Sequence, residues 1–297
     1  MVYSLGEIMV QINDLNVKEK SQWCPGCGNF AIVGALKNAF VELGIEQRNV
    51  VISSGIGCSG KTPHYLNVYG FEGLHGRSLP IASGIKLAND RLTVIAEGGD
   101  GDGYGIGSGH FIHIMRRNYD LTYIVHDNQI YGLTTGQASP TSQLGMKTKT
   151  TPNGVIEKPF NPIAAAIVGG ATFVARTFAG DMNHLKTMIK EAITHKGFAL
   201  VDVFQPCVTF NKLNTYDFFT KRVYKLQESG HDTNDKIKAM GKAFEAEATN
   251  YEKLPMGIFY KENRPTYEDS LPMIKERALV EHDLGGIDVS SVYEDLM

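Results

Sequence analysis

The apolar run Leu92-Thr93-Val94-Ile95-Ala96, closing in Gly98-Gly99-Asp100-Gly101-Asp102-Gly103, most narrows what this chain can fold into. The run predicts a buried parallel strand, and Ile106 to Arg117 beyond it predicts a helix. A second run, Leu121-Thr122-Tyr123-Ile124-Val125, ends in Asp127-Asn128, so oxygen donors stand at the carboxyl ends of two strands. Open α/β sheets bind their ligands at that edge. Glycines let backbone N–H groups approach phosphate oxygens, and a helix N-terminus adds partial positive charge. A carboxylate beside a diphosphate would repel it, so Asp100 makes sense there only with a hard divalent cation between them, and Asn128 offers a second oxygen ligand. The competing reading is a flexible turn in which Asp100 merely caps the helix.

The rest of the chain alternates in the same way. Ala31 to Leu43 has helical spacing and stops at Gly44, Asn49 to Ser53 reads as a strand, and Leu79 to Asn89 as a closely packed helix. Tyr131 to Phe160 is a long polar loop, and loops of that length are usually functional. Pro162 to Val168, Thr172 to Phe178, Met182 to His195 and Phe198 to Phe204 continue the helix and strand pattern up to Cys207. The expected fold is α/β, a mostly parallel sheet with helices on both faces and a C-terminal extension. Residues 1–210 are expected to form the binding domain, and 211–297 an arm packing on it and on a partner subunit. Within that arm Asp232 to Asn250 reads as one amphipathic helix, and Lys253 to Met297 as irregular chain with a few short elements.

At 297 residues the chain can bury a full core, and a net charge of −3 with pI near 6.3 leaves no electrostatic footprint for nucleic acid. No apolar run approaches the roughly 18 to 20 residues that span a bilayer. Met1 to Lys20 lacks a signal-peptide pattern, so a cytoplasmic enzyme is expected.

Cys24, Cys27, Cys58 and Cys207 are few for a disulfide scaffold, and each lies beside turn residues rather than in an apolar element. Cys24-Pro25-Gly26-Cys27 suits a redox pair, half a metal site, or chance. Four thiolates also bind Zn2+, although structural zinc sites usually join two close pairs, and here one pair precedes two distant single cysteines.

Four blocks make the chain resemble the β subunits of the 2-oxoacid:ferredoxin oxidoreductases. They are Trp23-Cys24-Pro25-Gly26-Cys27-Gly28, Gly55-Ile56-Gly57-Cys58-Ser59-Gly60-Lys61, the Asp100 turn, and Asn128 through Thr141, with His75-Gly76-Arg77 fitting as well. The resemblance implies a thiamine-diphosphate-binding fold. It implies Mg2+ on Asp100, Asn128 and the Ile130 carbonyl. Ile56, Gly57, Cys58, Ser59, His75, Gly101, Asp102, Gly132 and Leu133 would line thiamine diphosphate, and Cys24, Cys27, Cys58 and Cys207 would hold one 4Fe-4S cluster. It further implies an α subunit, ferredoxin, a 2-oxoacid and coenzyme A as partners, in a hetero-oligomer such as an αβ dimer of dimers. The enzyme would cleave the acid to acyl-CoA and CO2, or run in reverse to fix CO2.

Lys61 follows the Cys58 turn closely enough for its ammonium to reach the same pocket. A dicarboxylate such as 2-oxoglutarate needs that cation, pyruvate needs only an apolar wall, and Leu133 would supply the wall. On this ground 2-oxoglutarate is expected over pyruvate, with Lys61, His75 and Leu133 as the substrate-pocket residues. The resemblance implies that the glutamate which thiamine enzymes set against the aminopyrimidine comes from the α subunit, and Glu97, just before the Asp100 turn, lies at the wrong end of the cofactor for that task. The remaining alternatives are an iron-free thiamine decarboxylase or acyltransferase with zinc, and a scaffold subunit that has lost its cofactor.

Overall fold

The computed structural model describes residues 10–283, 285–286 and 288–297, so the first nine residues of the amino end lie outside the described residues. Eight described strands form one sheet in the order β2-β1-β3-β4-β6-β5-β8-β7. They are β1 (Val50–Ser54), β2 (Tyr69–Glu72), β3 (Thr93–Gly99), β4 (Thr122–Asp127), β5 (Phe173–Phe178), β6 (Ala199–Phe204), β7 (Val223–Lys225) and β8 (Leu254–Lys261). Every pairing is parallel except β5 with β8.

Strands β1, β4, β5 and β6 are buried along their full length, which is why they read as continuous apolar runs rather than alternating ones. Alternate residues serve opposite faces. Ile52, Ile95, Ile124, Val201 and Val203 pack with Ile32, Leu36 and Phe40 of α1 (Asn29–Leu43) and Leu185 and Ile189 of a helix spanning Met182–Thr194. Val94, Ala96, Tyr123, Val125 and Leu200 pack on the other side with α2 (Ser78–Ala88), α3 (Ser108–Arg117) and α4 (Pro162–Gly169). The Met182–Thr194 helix is therefore α5. Gly44 ends α1 in the left-handed region at φ 65°, a conformation glycine adopts without strain.

Three features depart from the sequence expectation. The helix expected from Ile106 is preceded by a π-helical turn, Gly101–Ile106, that leads into α3. Such turns are uncommon and concentrate at functional sites. The single helix expected over Asp232 to Asn250 is two pieces, separated at Phe244: Lys236–Ala243 and Glu245–Ala248. Asp235 caps the first through backbone N–H groups of Ile237 and Lys238, both at 3.0 Å, which fixes its start four residues late.

The third departure is β8, which lies in the stretch read as irregular. Leu254-Pro255-Met256-Gly257 carries both residues that demote a strand assignment. Pairing with β5 begins only at Gly257, so Pro255 sits on the overhang where its missing N–H costs nothing on that side. The sheet thus crosses the change in sequence character at residue 210. No helix among the described residues is long and apolar enough to cross a membrane.

Candidate active site

Register brings the carboxyl ends of the central strands together. Ser54 pairs with Glu97, Gly99 with His126, and Asp127 with Phe204. The loops leaving β1, β3, β4 and β6 therefore carry Gly55–Lys61, Asp100–Gly103, Asn128–Leu133 and Gln205–Cys207 to one edge.

Asp100 is almost wholly buried, and its Oδ2 accepts from Ser139 Oγ at 2.5 Å and Thr141 Oγ1 at 2.6 Å. Burial pushes its carboxyl up to about 6, against the lowering effect of those hydroxyls and of backbone N–H groups. A buried carboxylate held by hydroxyls rather than by a cationic side chain suits a hard cation. Thr141 Oγ1 also lies 2.8 Å from Asp127 Oδ1, and burial, with Asp202 and Asp100 adding to it, holds the Asp127 carboxyl well above the usual range. One hydroxyl proton cannot serve two carboxylates. With both carboxyls raised by burial, a proton shared across the Asp127–Thr141–Asp100 bridge satisfies it.

Asp102 works differently. Its Oδ1 accepts from the backbone N–H of Ile56 at 2.9 Å and of Gly76 at 2.8 Å, with His75 Nδ1 at 2.8 Å. It latches the Ile56 and His75 loops to the Asp100 turn. Glycine at 101 and 103 is a matter of space, since a Cβ would stand 2.2 Å from the Tyr131 ring and 1.8 Å from Tyr123 Oη. Tyr131 Oη donates to the Gly101 carbonyl at 2.9 Å.

Beside this turn lies a cavity of about 150 Å³ lined by all four cysteines with Lys61, Asn128 and Leu133. All four thiols are free, and a Cβ on Gly132 would lie 3.4 Å from Cys207 Sγ and 3.8 Å from Cys58 Sγ. Among the described residues no group of three or more His, Cys, Asp or Glu side chains stands in a metal-holding arrangement, and the four thiols line the cavity wall. Burial pushes the Cys27 thiol up to about 12 and raises Cys58 in the same sense, with neighbouring thiols adding to both. The loops are tied together: Trp23 Nε1 donates to the Cys58 carbonyl at 2.7 Å, and Gly28 N–H to the Pro206 carbonyl at 3.4 Å.

Lys61 Nζ donates to Gln22 Oε1 at 3.0 Å. Among the described residues Ser59 Oγ, near Gly99, is buried with no hydrogen-bond partner, and Ile130 is buried against Met146 and Val155. His75 borders the turn through Asp102 but does not line the thiol cavity. Glu97 is fully buried with its Oε2 3.3 Å from His126 Nε2, so it faces the protein interior. Ser139, Thr141, Asp127 and Gln205 have no role legible in the sequence alone. For the first two, the one signal is that they stand in or beside the Asn128 to Thr141 block.

Residues 55–203 match the family described as "Thiamine pyrophosphate enzyme, C-terminal TPP binding domain", and residues 207–276 match the C-terminal family of the pyruvate ferredoxin oxidoreductase beta subunit. The "2-oxoacid:ferredoxin oxidoreductase subunit beta" of Saccharolobus solfataricus is 51% identical over 265 residues, covering 85% of this chain and 86% of that one. The chain is a 2-oxoacid:ferredoxin oxidoreductase β subunit. The "2-oxoglutarate synthase subunit KorB" of Methanothermobacter marburgensis is 33% identical to this β subunit over 275 residues, covering 92% of this chain and 93% of that one. Among solved structures, "2-oxoglutarate:ferredoxin oxidoreductase from Magnetococcus marinus with 2-oxoglutarate, coenzyme A and succinyl-CoA bound" superposes with a TM-score of 0.88. It is 41% identical and the match covers 97% of this chain and 96% of that chain.

Proposed function

We propose that this β subunit holds thiamine diphosphate through Mg2+ at the Asp100 turn and a 4Fe-4S cluster on Cys24, Cys27, Cys58 and Cys207. With its α subunit it would convert 2-oxoglutarate, in preference to pyruvate, and coenzyme A to acyl-CoA and CO2, passing electrons to ferredoxin. The observation that carries this reading is the cavity in which four free thiols meet Asn128, Lys61 and Leu133.

Asp100, the side-chain oxygen of Asn128 and the carbonyl of Ile130 would take the cation. Asn128 Oδ1 accepts from the Ile130 N–H at 3.1 Å and keeps a second lone pair. Ile56, Gly57, Cys58, Ser59, His75, Gly101, Asp102, Gly132 and Leu133 would line the cofactor. Thiamine diphosphate, when bound, supplies the carbanion that attacks the ketone and the ring that holds the electron pair left by CO2. Ferredoxin takes one electron at a time, and a thiolate-held cluster supplies a one-electron carrier beside that ring. A Zn2+ site could not supply one.

Lys61 would exchange Gln22 for the distal carboxylate of the substrate, and Leu133 would close the apolar side. The relative named for 2-oxoglutarate and the solved enzyme with 2-oxoglutarate and coenzyme A bound support that substrate pair. Glu97 is turned inward, so the carboxylate for the aminopyrimidine would come from the α subunit. Four free cysteines suit a reducing cytoplasm. The same site would serve CO2 fixation when ferredoxin is reduced.

The test has two arms. Anaerobically purified αβ complex should show visible charge-transfer absorption with iron and acid-labile sulfide in equal amounts, and zinc in their place would reject the cluster. Lys61→Met should lower kcat/KM for 2-oxoglutarate about tenfold or more, since a desolvated charged hydrogen bond contributes about 1.5 to 3 kcal/mol, while sparing pyruvate. Equal losses for both acids would reject the substrate assignment.

A further inference from the structure

Gln205, the first residue after β6, is buried between the two halves of the site. Its Nε2 donates to Cys27 Sγ at 3.4 Å and to the Pro206 carbonyl at 2.9 Å. Its Oε1 accepts from Asn128 Nδ2 at 3.1 Å. One amide thus touches a thiol on one side and, on the other, the amide whose oxygen would face the diphosphate cation. The room for it comes from Gly28, where a Cβ would stand 2.9 Å from Gln205 Cγ and 3.0 Å from Nε2.

We propose that Gln205 is a positioning residue that couples the metal-diphosphate site to the iron-sulfur relay, an inference that rests on the function proposed above. Toward Asn128 it acts as an acceptor. By occupying the amide N–H2 it fixes which end of that side chain is nitrogen, leaving Oδ1 as the ligand atom. Toward Cys27 it acts as a donor. An N–H···S bond favours the more negative, reduced form of a thiolate-held cluster and so raises its potential. Cys27 also takes a bond from the Asn29 N–H, so Gln205 supplies the side-chain share of its hydrogen bonding. Ordering of Asn128 by the cation would hold the Gln205 amide against the thiolate, readying the electron acceptor when the cofactor is in place.

The test uses Gln205→Met in the assembled αβ complex, a side chain of similar length that cannot donate and accepts only weakly. Expected are a roughly 10- to 100-fold weaker Mg2+-dependent binding of thiamine diphosphate, read by calorimetry, and a more negative midpoint potential, read by EPR-monitored titration. Iron content should stay at the wild-type level. Gly28→Ala keeps the glutamine but pushes it from its seat, and should move both readouts in the same directions should Gln205→Met fail to assemble. Wild-type values of both quantities in the variant that folds overturn the proposal while leaving the function intact. A wild-type complex without a four-iron cluster overturns both. A shift in affinity with no change in potential rejects the coupling, because a merely structural role for Gln205 would produce that pattern.

Discussion

Thr141 shows how one hydroxyl sets the charge of a binding site. It stands between two buried carboxyls, both raised by burial, and its single proton cannot be given to both at once. Asp127→Asn keeps a donor toward Thr141 and should change Mg2+-dependent thiamine diphosphate affinity by no more than about threefold, well under the roughly 10- to 100-fold typical of a lost outer-shell partner. Asp100→Asn removes the anionic ligand proposed for Mg2+ and should lose at least that larger amount, and calorimetry on the αβ complex separates the two. The Asp100 carboxyl is pushed up to about 6, and the proposed cation would need the carboxylate, so cofactor affinity should be flat above that pH and fall up to about tenfold per unit below it. Folding shows the opposite trend without the cation. Asp100 binds its proton more tightly folded than unfolded, so its contribution to apo stability declines as pH rises from about 4 to about 6. A cofactor titration that stays flat down to about pH 5 would show that Asp100 is not the ligand.

Strand ends explain which elements were legible in sequence and which were not. β3 and β4 are buried parallel strands, so their apolar runs stop where turn chemistry starts, and Asp100 and Asn128 fall at the ends where they were expected. β8 escapes the sequence reading because Pro255 and Gly257 both argue against a strand, and Pro255 is tolerable because it lies on the overhang beyond β5. Ser139 and Thr141 lie 39 and 41 residues from Asp100, and nothing local in a polar loop signals a contact of that range. The glycines were legible as a turn, but their steric reason was not. Tyr123 and Tyr131, from β4 and the loop after it, fill the space that side chains at 103 and 101 would need. Gly103→Ala should therefore displace a fully buried tyrosine and destabilise the core by about 1 to 3 kcal/mol, the usual cost of overpacking. Chemical denaturation measures this directly. Gly109→Ala on α3, where a Cβ meets nothing within 4 Å, should instead stabilise by up to about 1 kcal/mol.

At the scale of the whole molecule, the four thiols arrive from three loops widely separated along the chain, at residues 24 and 27, 58, and 207. A group bound by all of them ties the amino-end loop to the ends of β1 and β6, and binding of that kind adds directly to folding free energy. The thiols must lose their protons to bind, yet burial holds Cys27 at about 12 and Cys58 above its ordinary value. Loading therefore releases protons, and the apparent affinity of the stripped protein for the proposed cluster should rise with pH. Stripped protein has the further penalty that its folded state retains a thiol proton the unfolded chain releases, so its stability declines as pH climbs from about 9 toward 12. The gap in melting temperature between loaded and stripped complex should thus widen from about pH 6 to pH 9. Cys207→Ser should narrow it across the whole range, because it frees the β6 loop from the clasp. A gap that stays constant with pH would mean that the bound group does not displace thiol protons, and thiolate ligation by these four residues would then be wrong.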